Sequence, residues 1–76
     1  MFNRITSDPA ILGGKPVIRG TRISVHMVLE WMASGASRDQ IVKKHPQVTE
    51  VDVEQAIHYA ANATKNEVLF TTQVAE

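Results

Sequence analysis

The spacing of apolar residues predicts three α-helices in this chain. Apolar positions recur at intervals of three and four within residues 24–34, 38–45 and 50–63, which is the period of a helix with one buried face. Before the first helix, residues 4–24 combine short apolar runs with turn-forming residues, and this mixture is typical of irregular structure with short strands. The pattern therefore predicts a mainly α-helical domain with short β segments near its N-terminus.

The first predicted helix is apolar on nearly all sides. Ser24 can cap its N-terminus, and Gly35 can end it. One face carries four apolar residues at helical spacing, namely Val25, Val28, Leu29 and Met32. Met27 and Trp31 add a second apolar stripe four residues apart. Because such a helix is expected to be covered on more than one side, we expect Met27 and Trp31 to lie in an interface with a second copy.

Two capping boxes mark the starts of the second and third predicted helices. Ser37 with Gln40 forms the first box, and Thr49 with Asp52 forms the second. In each pair, the two side chains satisfy backbone N–H groups that the helix leaves unbonded. Pro46 is expected to end the second helix, because the residue before a proline disfavours helical geometry.

A two-stranded ribbon is predicted immediately before the first helix. Residues 17–19 are expected to form one strand and residues 22–24 the returning strand. Gly20 and Thr21 lie between them, with the glycine suited to a positive φ. A ribbon this short is not stable alone, so it must pack against other elements.

Length and composition indicate one small domain that acts with a partner. The chain has 76 residues and no cysteine, so disulfides and thiolate metal ligands are excluded. Because a domain of this size buries only about 60% of its unfolded surface, we expect oligomerisation, most simply a homodimer. Residues 1–63 are predicted to form the domain with its β arm, and residues 64–76 a C-terminal tail. In that tail, the partner or dimer contacts are expected from Val68, Leu69 and Phe70.

The charges are unevenly distributed, although the formal net charge is zero. Residues 1–24 carry four cationic side chains and one anionic one, whereas residues 49–76 carry one cationic and five anionic side chains. This asymmetry indicates an anionic partner for the first part of the chain, and it equally allows contacts between subunits.

Six cations are candidates for contacts with nucleic acid phosphates or base edges. Three precede the first helix and three belong to the second: Lys15, Arg19, Arg22, Arg38, Lys43 and Lys44. The alternative is that they pair with acidic residues of a neighbouring subunit or lie in solvent. The third helix begins with Glu50, Asp52 and Glu54, and these carboxylates oppose its insertion into a DNA groove. A solvated or partner-facing acidic surface is the alternative for that helix.

The sequence lacks the patterns of an enzyme, a cofactor protein or a membrane protein. His26, His45 and His58 show no i, i+4 pairing, so no metal site is expected. No nucleophile motif is present, and we expect no cofactor and no catalysis. No apolar run approaches the roughly 18 residues of a membrane span. Because no secretory signal is visible either, the expected location is the cytoplasm.

The run from Ile5 to Ala61 resembles a bacterial family called domain of unknown function 433. The most distinctive stretch runs from Gly14 to Arg22, within the sequence GGKPVIRGTRI. The resemblance implies a three-helix bundle of the helix-turn-helix type, similar to winged-helix and homeodomain-like DNA binders, with short N-terminal β segments. It also implies an antitoxin whose partner is a PIN-like ribonuclease toxin.

The combined expectation is an antitoxin of a type II toxin–antitoxin pair. It would bind and neutralise a PIN-like toxin and bind double-stranded DNA of its own promoter. Two alternatives stay open at this point. One is a protein-interaction or dimerisation module without a nucleic-acid role, and the other is a stand-alone DNA-binding transcriptional regulator.

Overall fold

The computed structural model describes residues 3–65 and has three helices preceded by two short strands. The three predicted helices and the mainly α-helical fold are confirmed. The elements in chain order are β1 (Ile5–Thr6), β2 (Val17–Ile18), α1 (Val25–Ala33), α2 (Arg38–Lys44) and α3 (Glu50–Ala63). A 3₁₀ turn, Leu12–Gly14, separates the two strands. Val68, Leu69 and Phe70, predicted as interface residues, lie outside the described residues.

The predicted caps account for the helix boundaries. The Ser24 hydroxyl accepts a hydrogen bond from the Met27 N–H at 3.0 Å, at the start of α1. Ser37 and Gln40 exchange both bonds of the capping box at the start of α2. After α1, Gly35 has a φ of 106°, a conformation that a side chain opposes. Local sequence therefore fixes where these helices begin and end.

The strands differ in part from the prediction. Val17–Ile18 pairs in antiparallel fashion with Ile5–Thr6, a partner that the sequence pattern did not indicate. The predicted returning strand is reduced to a single bridge between Val17 and Ser24, supported by the Ile18 N–H donating to the Ile23 carbonyl at 2.9 Å. β2 ends at Ile18 and does not include Arg19, because the chain turns there.

The turn after β2 has the geometry expected of its glycine. The Thr21 N–H donates to the Ile18 carbonyl at 3.0 Å, and Gly20 has a φ of 81°. A four-residue turn with a left-handed third residue requires glycine or asparagine at that position. We call residues 19–22 the basic turn, since Arg19 and Arg22 flank its centre.

The strands and all three helices contribute to one apolar core. Its buried members are Ile5, Ile18, Ile23, Val25, Val28, Ile41, Val48, Val53 and Ala56. Val48 precedes the Thr49 cap of α3 and is buried with Val53, as a hydrophobic staple requires. The short ribbon is thus stabilised by packing, as its length demanded. No helix within residues 3–65 is long and apolar enough to cross a membrane.

Shortening Ile41 tests this core. The side chain is only 2% exposed, so Ile41→Ala leaves a cavity and is expected to lower the free energy of unfolding by about 2–4 kcal/mol. Val51→Ala is the control, since Val51 is 57% exposed and its truncation should change stability by less than about 0.5 kcal/mol. Urea denaturation of both variants measures the difference, and equal effects would contradict the core described here.

Candidate binding surfaces

An ion pair between the partly exposed Arg4 and the buried Asp52 joins the N-terminal segment to α3. The Asp52 side chain is fully buried, and its Oδ1 accepts a hydrogen bond from Arg4 Nε at 2.6 Å. Its Oδ2 accepts from the Thr49 N–H at 3.0 Å, while the Thr49 hydroxyl accepts from the Asp52 N–H. The predicted capping box is confirmed. Asp52 does not belong to an acidic surface, however, because its carboxylate is buried and hydrogen-bonded to Arg4 and Thr49.

The surroundings of Asp52 favour its charged form. Burial raises the pKa of Asp52, but the hydrogen bond and charge of Arg4, together with the bonds from Thr49, outweigh burial and hold the pKa below its usual value. The same pair raises the pKa of Arg4. Both groups are therefore charged at neutral pH, and the pair persists down to acidic conditions.

Gln55 makes a second connection to the N-terminal segment, one helical turn beyond Asp52. Its Oε1 accepts a hydrogen bond from the Arg4 N–H at 2.8 Å. Its Nε2 donates to Asn3 Oδ1 at 2.7 Å. Two neighbouring side chains of α3 thus fix residues 3 and 4, and β1 follows directly. The sequence does not indicate that Asn3 and Arg4 contact Gln55, because residues about 50 positions apart give no local signal.

The basic turn is held by the same segment. The Arg19 N–H donates to the Arg4 carbonyl at 2.7 Å, and Arg19 Nε donates to the Asn3 carbonyl at 2.8 Å. Within the turn, the Thr21 hydroxyl donates to the Ile18 carbonyl and accepts from the Ile23 N–H. The turn is therefore ordered by bonds from both sides.

The three N-terminal candidate cations differ in their surroundings. Arg22 is exposed, and its side chain has no hydrogen bond or ion pair to any other residue between 3 and 65. Arg19 is also exposed but already bonds to Asn3. Lys15 lies at the opposite end of the ribbon, beside the residues His26 and Tyr59. The structure thus brings Arg19 and Arg22 together and leaves Lys15 apart.

The three cations of α2 are exposed. Arg38 Nη1 lies 3.9 Å from Glu54 Oε1, a surface pair that contributes little to stability. Lys43 and Lys44 occupy the last turn, where cations suit the negative end of the helix dipole. Glu54 therefore places an anionic side chain beside this cationic helix.

An aromatic groove lies between α1 and α2. The rings of Trp31 and His45 are stacked, with centroids 4.0 Å apart and planes 7° apart. We call the adjoining space, of about 400 Å³, the Trp31 groove; its lining residues are Trp31, Ser34, Ala36, Gln40, Ile41, Lys44 and His45. Trp31 is partly buried against its own core, whereas Met27 is 37% exposed. The two predicted interface residues of α1 are therefore unequally available to a partner.

A second groove lies beside Lys15 and is mainly apolar. It has a volume of about 370 Å³, and its lining residues are Lys15, Pro16, Ser24, Val25, His26, Leu29, Tyr59 and Ala60. Within residues 3–65, no group of three or more histidine, aspartate or glutamate side chains could hold a metal ion. The described surface therefore offers cations and grooves for binding.

Comparison with known proteins identifies the family. A family model described as a protein of unknown function, DUF433, matches residues 5–60. The chain belongs to the DUF433 family. The resemblance inferred from the sequence is confirmed at this level, and the matched residues include both strands, the basic turn and most of α3.

The chain is also similar to two known proteins. The DUF433 protein is 39% identical over 56 residues to an uncharacterized protein, y4eO, of Sinorhizobium fredii; these residues are 74% of this chain and 25% of that protein. The chain thus spans about a quarter of that relative's length. A crystal structure of a DUF433 member protein from Anabaena variabilis is similar with a TM-score of 0.75 and 27% identity, over 97% of this chain and 70% of the other.

Replacing Asp52 by asparagine tests the ion pair through its pH dependence. Asp52→Asn removes the negative charge that pairs with Arg4. It should lower the free energy of unfolding by about 2–3 kcal/mol at pH 7, and not more, because Arg4 is partly hydrated. A carboxylate with a lowered folded pKa stabilises above its unfolded pKa and loses that contribution as pH falls through the folded value. The difference in the free energy of unfolding between wild type and Asp52→Asn should therefore become smaller below about pH 4.

Asp39→Asn provides the matched control for this measurement. Asp39 is an exposed acid in the first turn of α2, so its replacement should change stability by less than about 0.5 kcal/mol. Urea unfolding at a series of pH values gives both curves. A cost of Asp52→Asn that is independent of pH, or equal to that of Asp39→Asn, would contradict the role of the carboxylate charge.

Proposed function

We propose that this DUF433 protein is the antitoxin of a type II toxin–antitoxin pair, acting in the cytoplasm. In this proposal it binds and neutralises a PIN-like ribonuclease toxin and also binds the DNA of its own promoter. The observation that supports it best is the basic turn, whose backbone is fixed by hydrogen bonds. It presents Arg22, which is exposed and has no ion-pair partner among residues 3–65.

The chemistry of the basic turn suits a carboxylate-rich partner. A PIN-type active site holds its metal with carboxylates, and a guanidinium can bond to a carboxylate through two parallel N–H groups. Arg22 is available for this contact, whereas Arg19 already donates to the Asn3 carbonyl. Because the turn is ordered before binding, little conformational entropy is lost when the partner docks.

Promoter binding is assigned to the cations of α2, not to the start of α3. Exposed carboxylates of Glu50 and Glu54 at the start of α3 repel the phosphate backbone. The side chains of Lys43 and Lys44 have no hydrogen bond or ion pair with any residue between 3 and 65. Both can therefore neutralise phosphates. These contacts position a protein on DNA without reading its sequence.

The homodimer belongs to the same proposal. Met27 is the exposed apolar residue of α1, and we place the dimer contact there. The acidic first turn of α3, with Val51 exposed between Glu50 and Glu54, favours a second candidate function. That candidate is a protein-interaction module without a nucleic-acid role, which predicts partner binding without DNA affinity.

Arg22 gives the sharpest test of toxin neutralisation. The candidate toxin is any small ribonuclease-like protein encoded beside this gene. It is purified, and its RNA cleavage is measured with increasing amounts of the DUF433 protein. Inhibition should saturate at a fixed ratio. Arg22→Ala should weaken it by about 30-fold or more, as expected when one partner of a desolvated charge pair is removed. Lys15→Ala, at the other end of the ribbon, is the control and should have little effect.

Promoter binding is measured in the same preparation by gel shift at about 100 mM salt. Inhibition without a shift would support the protein-interaction module. A shift without inhibition would support a stand-alone regulator of transcription. If neither is observed with wild-type protein, the antitoxin proposal is wrong.

A further inference from the structure

The Trp31 groove offers polar groups that are mainly hydrogen-bond donors. Within residues 3–65, the Trp31 indole N–H and the Lys44 ammonium have no hydrogen-bond partner. The Gln40 carbonyl oxygen accepts from the Ser37 N–H at 2.8 Å, which leaves the Gln40 amide N–H groups for a ligand. None of the residues that line the groove is acidic. The groove therefore favours an occupant that presents acceptors or negative charge.

The walls of the Trp31 groove favour an occupant with a flat apolar surface. Trp31 and His45 are already stacked in parallel, so their planes are fixed before any ligand arrives. Ala36 and Ile41 add aliphatic surface to the same space. A volume of about 400 Å³ lies in the range of sites that hold small organic molecules or parts of polymers.

We propose that the Trp31 groove binds an unpaired nucleotide of a single-stranded nucleic acid. The base contacts the aromatic rings that line the groove, and the neighbouring phosphate pairs with Lys44. Bases stack on aromatic side chains without regard to sequence, and lysine supplies charge for the backbone. This site is separate from the basic turn and shares only Lys44 with the proposed duplex contacts. It does not require that the protein neutralises a toxin.

An acidic peptide is the competing occupant, and the shape of the groove disfavours it. A carboxylate would engage Lys44 but would leave the aromatic and aliphatic walls of the groove uncovered, whereas a planar base can cover them. A second copy of this chain is disfavoured at this position as well, since Trp31 is partly buried against its own core. Both alternatives are outcomes of the experiment that follows.

The chain contains one tryptophan, which makes its fluorescence a direct reporter of the groove. The whole protein is titrated with 12-nucleotide oligo-uridine and oligo-thymidine, and with a duplex of the same length. Either single strand should quench Trp31 fluorescence in a saturable manner, because a base stacks beside the indole. The duplex should quench far less, since its bases are paired. A preference between the two single strands identifies RNA or DNA as the better ligand.

Three variants connect the signal to the groove, with fluorescently labelled strands and anisotropy as the readout. Trp31→Ala should weaken binding at least about fivefold, the loss of one stacked base. Lys44→Gln should reduce the slope of log affinity against log salt by about 0.7, the value of one phosphate contact on a single strand. Lys65→Gln is the control, because Lys65 is exposed, does not line the groove and has no assigned contact with nucleic acid.

Thermal melting of each variant establishes that it folds. If Trp31→Ala does not fold, the comparison of Lys44→Gln with Lys65→Gln decides. The proposal is overturned if neither single strand quenches Trp31 or if the two lysine variants behave alike. The proposal would also be overturned if oligo-glutamate displaced the labelled strand as well as the unlabelled strand does at the same ionic strength. A dimer in sedimentation that dissociates in Trp31→Ala would overturn the proposal as well, because the groove would then be an interface between two copies.

Discussion

The described fold depends on one buried carboxylate that a distant arginine neutralises. Asp52 caps α3 and is enclosed by the core, so its charge requires a partner inside the molecule. Arg4 provides that partner and brings residues 3–6 onto the helix. β1 then pairs with β2, and the backbone of Arg4 receives the Arg19 N–H. A single ion pair therefore links the first turn of α3 to the position of the basic turn.

The helices could be predicted from sequence because their determinants are local. The Ser37 and Thr49 capping boxes lie within four residues, and the glycines at positions 20 and 35 take the positive φ that their turns require. The spacing of apolar residues then assigns one buried face to each helix. These signals act within one or two turns of chain, so neighbouring residues contain all the information.

The ion pair, the strand pairing and the stacking of Trp31 could not be predicted, because they depend on contacts between residues far apart in the sequence. Asp52 has a complete local explanation as a cap, and this explanation hid its second role with Arg4. The partner of β2 was missed for the same reason, since Ile5–Thr6 is too short to predict a strand. The stacking of Trp31 on His45 and its packing on the core were likewise not indicated by the spacing, while its predicted contact with a second copy stays a prediction. In each case, tertiary packing gives a residue a contact that its local pattern does not show.

Amide hydrogen exchange in an Arg4→Met variant tests the link between the ion pair and the basic turn most directly. If the pair positions the turn, the Arg19 and Thr21 amides should lose protection at least about tenfold more than the His45 amide, which bonds to Ile41 at the end of α2. A uniform loss of protection throughout the chain, or unchanged protection at Arg19 and Thr21, would contradict this account.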